Sequence, residues 1–257
     1  MYTLKNSFDI YITDKCNLHC QGCIVLDYKD KGNVLKEGKY TLSDLKTITK
    51  RLNDFSFELP EVKLIGGEPT IHPQFNEMVK HIVDSEVYKK TAVVTNGLNF
   101  TKPVVESLKL VDRVVISVYP IMENYRDVLE KSKLYQELVD NDVEIEYWVN
   151  NTFFEYGTEA PDWNYSAKEN WRRCYQKKSC QVITKSEVYR CAISHSEGVE
   201  GVSLSDRNKI IELNTRNKPL ELCKKCPWPA KQHFWRTLNS KNDTRVTKRG
   251  LKLLGEY

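Results

Sequence analysis

The chain has 257 residues, is 40% hydrophobic and 29% charged, and carries a mild formal net charge of +4 that does not by itself indicate nucleic-acid binding. No apolar run approaches the roughly 18 to 20 residues of a membrane span, and the N-terminus lacks the basic and apolar regions of a signal peptide. We therefore expect a cytoplasmic protein without a membrane partner, whose eight cysteines bind metal rather than form disulfides.

The first 150 residues alternate short apolar runs with longer amphipathic stretches, which predicts strands separated by helices. The predicted strands cover residues 8–12, 62–65, 91–95, 113–118 and 143–149. The predicted helices cover residues 41–54, 74–85, 101–109 and 124–140. Strands that alternate with helices pair in parallel through right-handed crossovers, so we expect an α/β fold. A closed eight-unit barrel needs about 250 residues, so this region fits a partial, open β/α barrel of about six units.

The first predicted strand leads directly into a loop with three closely spaced cysteines, Cys16, Cys20 and Cys23. These spacings let three thiolates surround one inorganic centre. A structural zinc ion or an electron-transfer iron–sulfur cluster takes four protein ligands, so three thiolates leave one metal position open for a substrate or cofactor. The loop therefore predicts a catalytic metal centre. We expect His19, inside the loop, to be an exposed histidine rather than a further ligand.

Polar residues and glycines follow the next three predicted strands. Asn96 comes after the third strand and Ser117 lies near the end of the fourth. Because functional groups of parallel β/α folds gather at the carboxyl ends of the strands, we expect these residues and the cysteine loop to line the opening of the barrel at that end, which we call the mouth. The second strand ends in the run Gly66, Gly67, Glu68 and Pro69.

This combination of CxxxCxxC and Gly-Gly-Glu-Pro resembles the radical SAM superfamily over residues 7–150. The resemblance implies that Cys16, Cys20 and Cys23 hold a [4Fe–4S] cluster, whose fourth iron binds S-adenosylmethionine (SAM) through its amino and carboxylate groups. It implies that a low-potential donor such as flavodoxin or ferredoxin supplies an electron. SAM is then cleaved to methionine and a 5′-deoxyadenosyl radical, which abstracts a hydrogen atom from a C–H bond.

The resemblance also implies which residues surround SAM. Gly66 and Gly67 lack a Cβ, which would let the backbone approach SAM closely while the next two residues fix the turn. The alternative is that the Ser117 hydroxyl lies in a strand and has its hydrogen-bond partner within the protein, without contacting SAM. Gly22 stands where the family has an aromatic residue before the last cysteine, so adenine packing falls to a residue that the pattern does not identify. The implied SAM contacts are Gly66, Gly67, Glu68, Pro69, Asn96 and Ser117.

A second group of cysteines lies in the C-terminal half. Residues 180–191 alternate apolar and polar side chains around Lys185 and Ser186, which predicts a β-hairpin with a cysteine at each end. A CxxC knuckle follows at residues 223–226. This arrangement resembles the twitch domain, a shortened relative of the SPASM domain, although Ser186 replaces the usual turn glycine. The resemblance implies an auxiliary [4Fe–4S] cluster, and four thiolates would also suit zinc. The group comprises Cys174, Cys180, Cys191, Cys223 and Cys226.

Five cysteines compete for the four positions of an auxiliary cluster. The resemblance favours Cys191, Cys223 and Cys226, with either Cys174 or Cys180 as the fourth ligand. The remaining cysteine is then a packed thiol or a hydrogen-atom donor to a substrate radical, as in the epimerases of the family.

The expected organisation is a radical SAM partial barrel over residues 1–150, a linker over 151–170, a twitch-like domain of hairpin and helix over 171–235 and a basic tail over 236–257. Seven lysines and arginines crowd the last 27 residues. Such a run either is a solvated tail or binds an anionic partner, such as a phosphorylated substrate, a nucleotide or a nucleic acid.

The function that these patterns favour is hydrogen abstraction from a small polar substrate, either a carbohydrate, an aminocyclitol or a nucleotide-like molecule. The outcome would be dehydrogenation or epimerisation, with elimination as a further route. Because only fifteen residues precede Cys16, we expect no N-terminal peptide-recognition domain. The alternatives are modification of a peptide or protein that a separate chain recognises, modification of a nucleic-acid base, and a zinc-binding interaction protein without activity.

Overall fold

In a computed structural model, the described residues are 1–25, 40–122, 124–154, 166–174, 181–224, 226, 232–234 and 240–254. Cys180, most of the aromatic linker and the basic residues Lys231 and Arg236 lie outside this set, so the predictions made for them stay predictions.

The strands and helices alternate over the first half of the chain, as the periodicity predicts. The strands are β1 (Tyr2–Thr3), β2 (Phe8–Thr13), β3 (Phe57–Glu58), β4 (Val62–Gly66), β5 (Thr91–Thr95), β6 (Arg113–Val118), β7 (Glu144–Val149), β8 (Thr152–Phe154), β9 (Gln181–Ile183), β10 (Glu187–Tyr189), β11 (Val202–Ser203) and β12 (Gln232–Phe234). The α-helices are α1 (Leu42–Asp54), α2 (Phe75–Val83), α3 (Lys102–Leu108), α4 (Tyr125–Lys131), α5 (Lys133–Val139), α6 (Ala167–Arg173), α7 (Ala192–Glu197), α8 (Arg207–Thr215) and α9 (Ser240–Leu253).

One eight-stranded sheet, in the order β11-β10-β9-β2-β4-β5-β6-β7, forms the centre of the fold. The six strands from β9 to β7 pair in parallel, and β10 and β11 are antiparallel. Within the described residues, the edge strands β7 and β11 do not pair with each other, so the sheet is not closed. The predicted α/β fold with a partial barrel is confirmed.

The predicted boundaries agree closely with the structure, with one exception. The five predicted strands and the first three predicted helices match to within two residues at each end. The single helix predicted over residues 124–140 is wrong, because Ser132 divides it into α4 and α5. Ser132 has an extended backbone (φ −73°, ψ 148°), and its hydroxyl accepts a hydrogen bond from the Tyr135 amide at 3.2 Å. A serine cap thus starts a new helix where hydrophobic periodicity alone continues the old one.

The predicted hairpin of the second cysteine group is present and joins the central sheet. Val188 pairs with Ile183 in the antiparallel ladder of β9 and β10. Strand β9 also pairs with β2, and the Gln181 amide donates to the Ser7 carbonyl at 2.9 Å. The hairpin therefore continues the sheet that carries the first cysteine loop. The domain boundary proposed near residue 170 stays a prediction.

The basic C-terminal segment forms a helix over the described residues 240–253, and its separation from the rest of the chain as a basic tail stays a prediction. One side of α9 is buried at Asp243, Thr247, Gly250 and Leu254, which recur at helical spacing. Helix α9 packs against α4 and the 3₁₀ turn Pro120–Met122. It therefore lies near the carboxyl ends of the parallel strands, beside the predicted mouth.

Apolar residues on one face of the sheet form the main core, including Ile10, Leu64, Val93 and Val114, which are register partners and are all 0% exposed. Burial of these strands on both faces is typical of a parallel sheet covered by helices. None of the helices in the described part of the chain combines the length and apolar character that crossing a membrane requires.

Candidate active site

The three cysteines of the first loop lie close together at the carboxyl end of β2. Cys20 is buried and Cys16 and Cys23 are partly buried, and the Leu18 amide donates to Cys16 Sγ at 3.4 Å. Burial, then the charge of Glu68, and then those of Cys23 and Cys20 hold the pKa of Cys16 well above its ordinary range. The Cys16 thiol therefore keeps its proton until a cation replaces it, which is how metal binding couples to proton release.

The two adjacent glycines lie against the segment that enters the cysteine loop. The Gly67 amide donates to the Thr13 carbonyl and the Glu68 amide to the Lys15 carbonyl, both at 2.8 Å. A Cβ on Gly66 would lie 2.3 Å from Thr13 O, and a Cβ on Gly67 would lie 2.1 Å from Lys15 O. The absence of a Cβ on Gly66 and Gly67 therefore lets two backbone segments come into contact. This role differs from the predicted one, in which the glycines let the backbone approach SAM. The SAM contact itself stays a prediction.

The Glu68 carboxylate joins the ends of β4 and β5. Glu68 is 1% exposed. Its carboxylate accepts hydrogen bonds from the Thr70 hydroxyl and the Thr95 hydroxyl, each at 2.6 Å, and from the Asn96 amide at 2.7 Å. Burial raises the pKa of Glu68 although these donors oppose the rise. Pro69 follows it as the first residue of the buried 3₁₀ turn Pro69–Ile71.

Asn96 connects the end of β5 to the cysteine loop. Its Nδ2 lies 2.6 Å from Asn17 Oδ1 and 4.0 Å from Cys16 Sγ. Its Oδ1 accepts a hydrogen bond from the Leu98 amide at 3.0 Å. The side chain therefore orients the loop at Cys16, and its predicted contact with ribose or carboxylate stays a prediction.

Ser117 is buried near the end of β6 and hydrogen-bonds to Tyr119, a residue that sequence reasoning missed. Burial, then the charges of Cys20, Cys23 and Cys16, hold the pKa of Tyr119 well above its ordinary range. Tyr119 is therefore neutral and lies within electrostatic reach of all three thiols of the loop. Tyr119 directly follows β6, so its place at the carboxyl end of a predicted strand was the available sequence signal.

Helix α9 anchors the cysteine loop, a contact that sequence reasoning also missed. The buried carboxylate of Asp243 accepts a hydrogen bond from the His19 amide at 3.0 Å and lies 2.9 Å from His19 Nδ1. Asn242 Nδ2 donates to the Asn17 carbonyl at 3.3 Å. His19 is thus a partly exposed loop histidine paired with Asp243 and is not placed as a ligand. The available signal was that Asp243 is the single acidic residue of a basic helical stretch.

Replacing Asp243 with alanine should loosen the cysteine loop. The His19 amide and ring would lose their buried acceptor, which costs about 1 to 3 kcal/mol of the free energy of unfolding. We expect a lower melting temperature and less iron retained after reconstitution. Thr244→Ala, on the exposed side of the same turn, is the matched control and should behave as the wild type. Equal iron content and melting temperature in both variants would contradict the anchoring role.

The second cysteine group is brought together from three separate elements. Cys174 follows α6, Cys191 caps α7 with its Sγ accepting from the Ser194 amide at 3.4 Å, and Cys223 lies in the 3₁₀ turn Glu221–Lys224. Asn170 Nδ2 donates to the Cys223 carbonyl at 2.8 Å and so joins α6 to that turn. Burial, and then the charges of Cys174 and Cys223, raise the pKa of Cys191 to about 11.

The second group therefore places Cys174, Cys191 and Cys223 within electrostatic reach of one another, and Cys226 is partly buried nearby in the chain. Cys180 lies outside the described residues. Among the residues that are described, no three His, Cys, Asp or Glu side chains are already arranged to bind one metal ion. The donor chemistry of both thiol groups nevertheless matches iron–sulfur clusters, which take cysteine thiolates.

An apolar cluster joins the two cysteine groups. It contains Tyr11, Val182 and Tyr189, with Cys23 packed against it. The His195 ring stacks on Tyr11 with 5.1 Å between centroids, and burial lowers the pKa of His195 to about 4, so the ring is neutral at neutral pH. His195 therefore acts here as an aromatic packing residue.

Two other histidines have structural partners that the sequence does not reveal. His72 Nδ1 accepts from the Gln74 amide at 3.0 Å, so its Nε2 carries the proton and donates to the Tyr40 carbonyl at 2.9 Å. His81 Nε2 lies 3.0 Å from Thr49 Oγ1. Both side chains therefore connect elements of the fold.

Comparison with known proteins gives consistent results. The family profile described as the Radical SAM superfamily matches residues 10–141. A curated relative from Flammeovirga pacifica, named S-adenosylmethionine-dependent nucleotide dehydratase, is 24% identical over an alignment of 224 residues that covers 81% of this chain and 76% of the relative. The structure of BtrN in complex with AdoMet and 2-DOIA aligns with a TM-score of 0.55 at 15% identity, covering 84% of this chain and 85% of BtrN. BtrN in an open conformation aligns with a TM-score of 0.50 at 14% identity, covering 88% and 94%.

Proposed function

This chain belongs to the radical SAM superfamily and is an enzyme, and we propose that it abstracts a hydrogen atom from a C–H bond of a small polar substrate. We propose dehydrogenation or epimerisation as the outcome, on a carbohydrate, an aminocyclitol or a nucleotide-like molecule. The observation that carries the proposal is the close group of Cys16, Cys20 and Cys23, held by Glu68 and Asn96 at the ends of neighbouring parallel strands.

The cofactors of this family are a [4Fe–4S] cluster and SAM. We propose that Cys16, Cys20 and Cys23 hold the cluster and that SAM occupies the remaining position. When bound, this pair supplies reductive cleavage of SAM and hydrogen-atom abstraction. The proposed SAM contacts are Gly66, Gly67, Glu68, Pro69, Asn96 and Ser117.

The residues of the chain position these groups and exclude water. Glu68 keeps the ends of β4 and β5 together, and Asn96 orients the loop at Cys16. We propose that the neutral Tyr119 hydroxyl, which is hydrogen-bonded to Ser117, also interacts with the thiolates or with a bound carboxylate. Hydrogen bonds from such preorganised donors tune an iron–sulfur site because they stabilise negative charge on its sulfur atoms.

We propose that Cys174, Cys191, Cys223 and Cys226 hold an auxiliary [4Fe–4S] cluster. The proximity of Cys174 to Cys191 and Cys223 supports Cys174 as the fourth ligand, which leaves Cys180 as the packed thiol or hydrogen-atom donor. A second cluster gives the substrate radical an electron acceptor, so it favours oxidation. Zinc in the same four thiolates is the alternative.

Replacing Cys191 and Cys223 together with alanine should remove the auxiliary metal and leave the first loop intact. We expect about half of the iron to be lost, since each cluster carries about four irons. Formation of 5′-deoxyadenosine should continue, whereas oxidation of the substrate should stop. Cys180→Ala is the matched control for iron content. Zinc in place of this iron, or unchanged iron in the double variant, would contradict the auxiliary cluster.

A second candidate outcome is elimination of water from a nucleotide, which the name of the relative from Flammeovirga pacifica favours. The test incubates the reconstituted enzyme with SAM and separate panels of nucleotides, sugar derivatives and aminocyclitols. Transfer of substrate deuterium into 5′-deoxyadenosine identifies the substrate. Loss of two hydrogens in the product indicates dehydrogenation, loss of water indicates elimination, and uptake of solvent deuterium without other mass change indicates epimerisation.

A further inference from the structure

The outward side of α9 is strongly basic. Exposed residues on this side include Lys241, Arg245, Lys248, Arg249 and Lys252, which we call the basic face. No ion pair links any of the five to a carboxylate among the described residues. The single acidic side chain of the helix, Asp243, is buried and bonded to His19. As far as the described residues show, the basic face is therefore a positive patch without a paired carboxylate.

The opposite side of the same helix contacts the candidate active site. Asp243 holds the cysteine loop through His19, and Gly250 lies against Leu98 in the loop after β5. A helix with its side chains is about 10 to 12 Å across. One helix thickness thus separates the basic face from the loop that carries Cys16, Cys20 and Cys23.

The orientation of the basic face relative to the cysteine loop indicates which anionic partner can bind there. A substrate must enter the mouth and reach SAM, but these cations lie on the side of α9 that points away from the cysteine loop. An electron-donor protein has only to approach the cluster from outside. The large apolar side chains that are exposed on the described surface all lie outside α9, at Met1, Leu110, Val139, Trp148, Val149 and Val199.

A charged face without apolar anchors is typical of brief redox encounters, which use small interfaces and electrostatic steering rather than large buried areas. We propose that the basic face of α9 is the docking surface for an acidic electron-carrier protein of the flavodoxin class. This inference rests on the proposed function. The step moves one electron, so the reduced flavin of the carrier is oxidised by one electron and the cluster held by the cysteine loop is reduced by one.

The test uses the full-length reconstituted enzyme and a purified, acidic bacterial flavodoxin. The test variant is Lys248→Glu/Arg249→Glu/Lys252→Glu, and the matched control is Lys46→Glu/Lys50→Glu/Arg51→Glu on the exposed side of α1. Binding of flavodoxin is measured by titration calorimetry at low and high salt. SAM cleavage is measured once with flavodoxin and its reductase and once with dithionite, which needs no docking surface.

We expect the test variant to bind flavodoxin about 10-fold or more weakly and to lose flavodoxin-driven SAM cleavage to the same degree. Its dithionite-driven cleavage should equal that of the wild type, and the control variant should match the wild type in both assays. High salt should weaken binding to the wild type and have little effect on the test variant.

Unchanged flavodoxin binding and flavodoxin-driven turnover in the test variant would overturn the docking surface and leave the proposed function standing. Absence of dithionite-driven cleavage in the wild type would overturn the proposed function itself. Salt-sensitive binding of a single-stranded RNA that the test variant loses, with flavodoxin binding unchanged, would reassign the basic face to nucleic acid.

Discussion

Simultaneous replacement of Cys16, Cys20 and Cys23 with alanine is expected to abolish formation of 5′-deoxyadenosine. The three thiols are mutually close, and no described residue nearby offers a replacement thiolate. We expect about half of the iron to remain, because each cluster carries about four irons and the second cysteine group is untouched. The measurements are iron and sulfide content after anaerobic reconstitution, and SAM turnover with dithionite.

Two other outcomes of this experiment would be decisive. About four irons in the wild type and none in the triple variant would remove the auxiliary cluster and with it the preference for oxidation. A wild type that binds no iron and cleaves no SAM would contradict the proposed chemistry. The Cys191→Ala/Cys223→Ala variant is the matched control, since it should lose a similar amount of iron and keep SAM cleavage.

Gly67→Ala is expected to destabilise the protein and release the iron of the first loop. The new Cβ would lie 2.1 Å from the Lys15 carbonyl oxygen, which is backbone and cannot rotate away. The segment that enters the cysteine loop would have to move, with strain on the 2.8 Å hydrogen bonds of the Gly67 and Glu68 amides. We expect the free energy of unfolding to fall by about 3 kcal/mol, which is at the upper end of the cost of overpacking a protein core. The melting temperature should fall by roughly 6 to 12 °C.

Gly201→Ala is the matched control for this substitution. Its Cβ would lie 2.6 Å from the buried Tyr189 ring and not from the backbone that enters the cysteine loop, so the protein should lose stability while the first-loop iron remains. Wild-type stability and iron content in Gly67→Ala, together with weaker SAM binding, would contradict the backbone contact. That result would favour the interpretation in which Gly67 makes room for SAM.

Most elements of the partial barrel follow from local sequence. The strand that enters the cysteine loop and the strand that ends at Gly66 match their predicted bounds to within one residue, because buried parallel strands are continuous apolar runs between polar breaks. The break at Ser132 was missed, since a single hydroxyl cap outweighs a periodicity that continues across it.

The sequence by itself determined the family, the alternation of strands and helices along the partial barrel and the position of the motifs after the carboxyl ends of the strands. Those features depend on residue spacing and on the geometry of parallel strands. Only the tertiary structure decided that Gly67 meets the Lys15 carbonyl, that Asp243 anchors His19 and that Cys174 lies near Cys191. The physical reason is that hydrophobic periodicity tells which face of an element is buried but not which distant residue it meets. A hydrogen bond between residues 224 positions apart becomes visible only when the chain has folded.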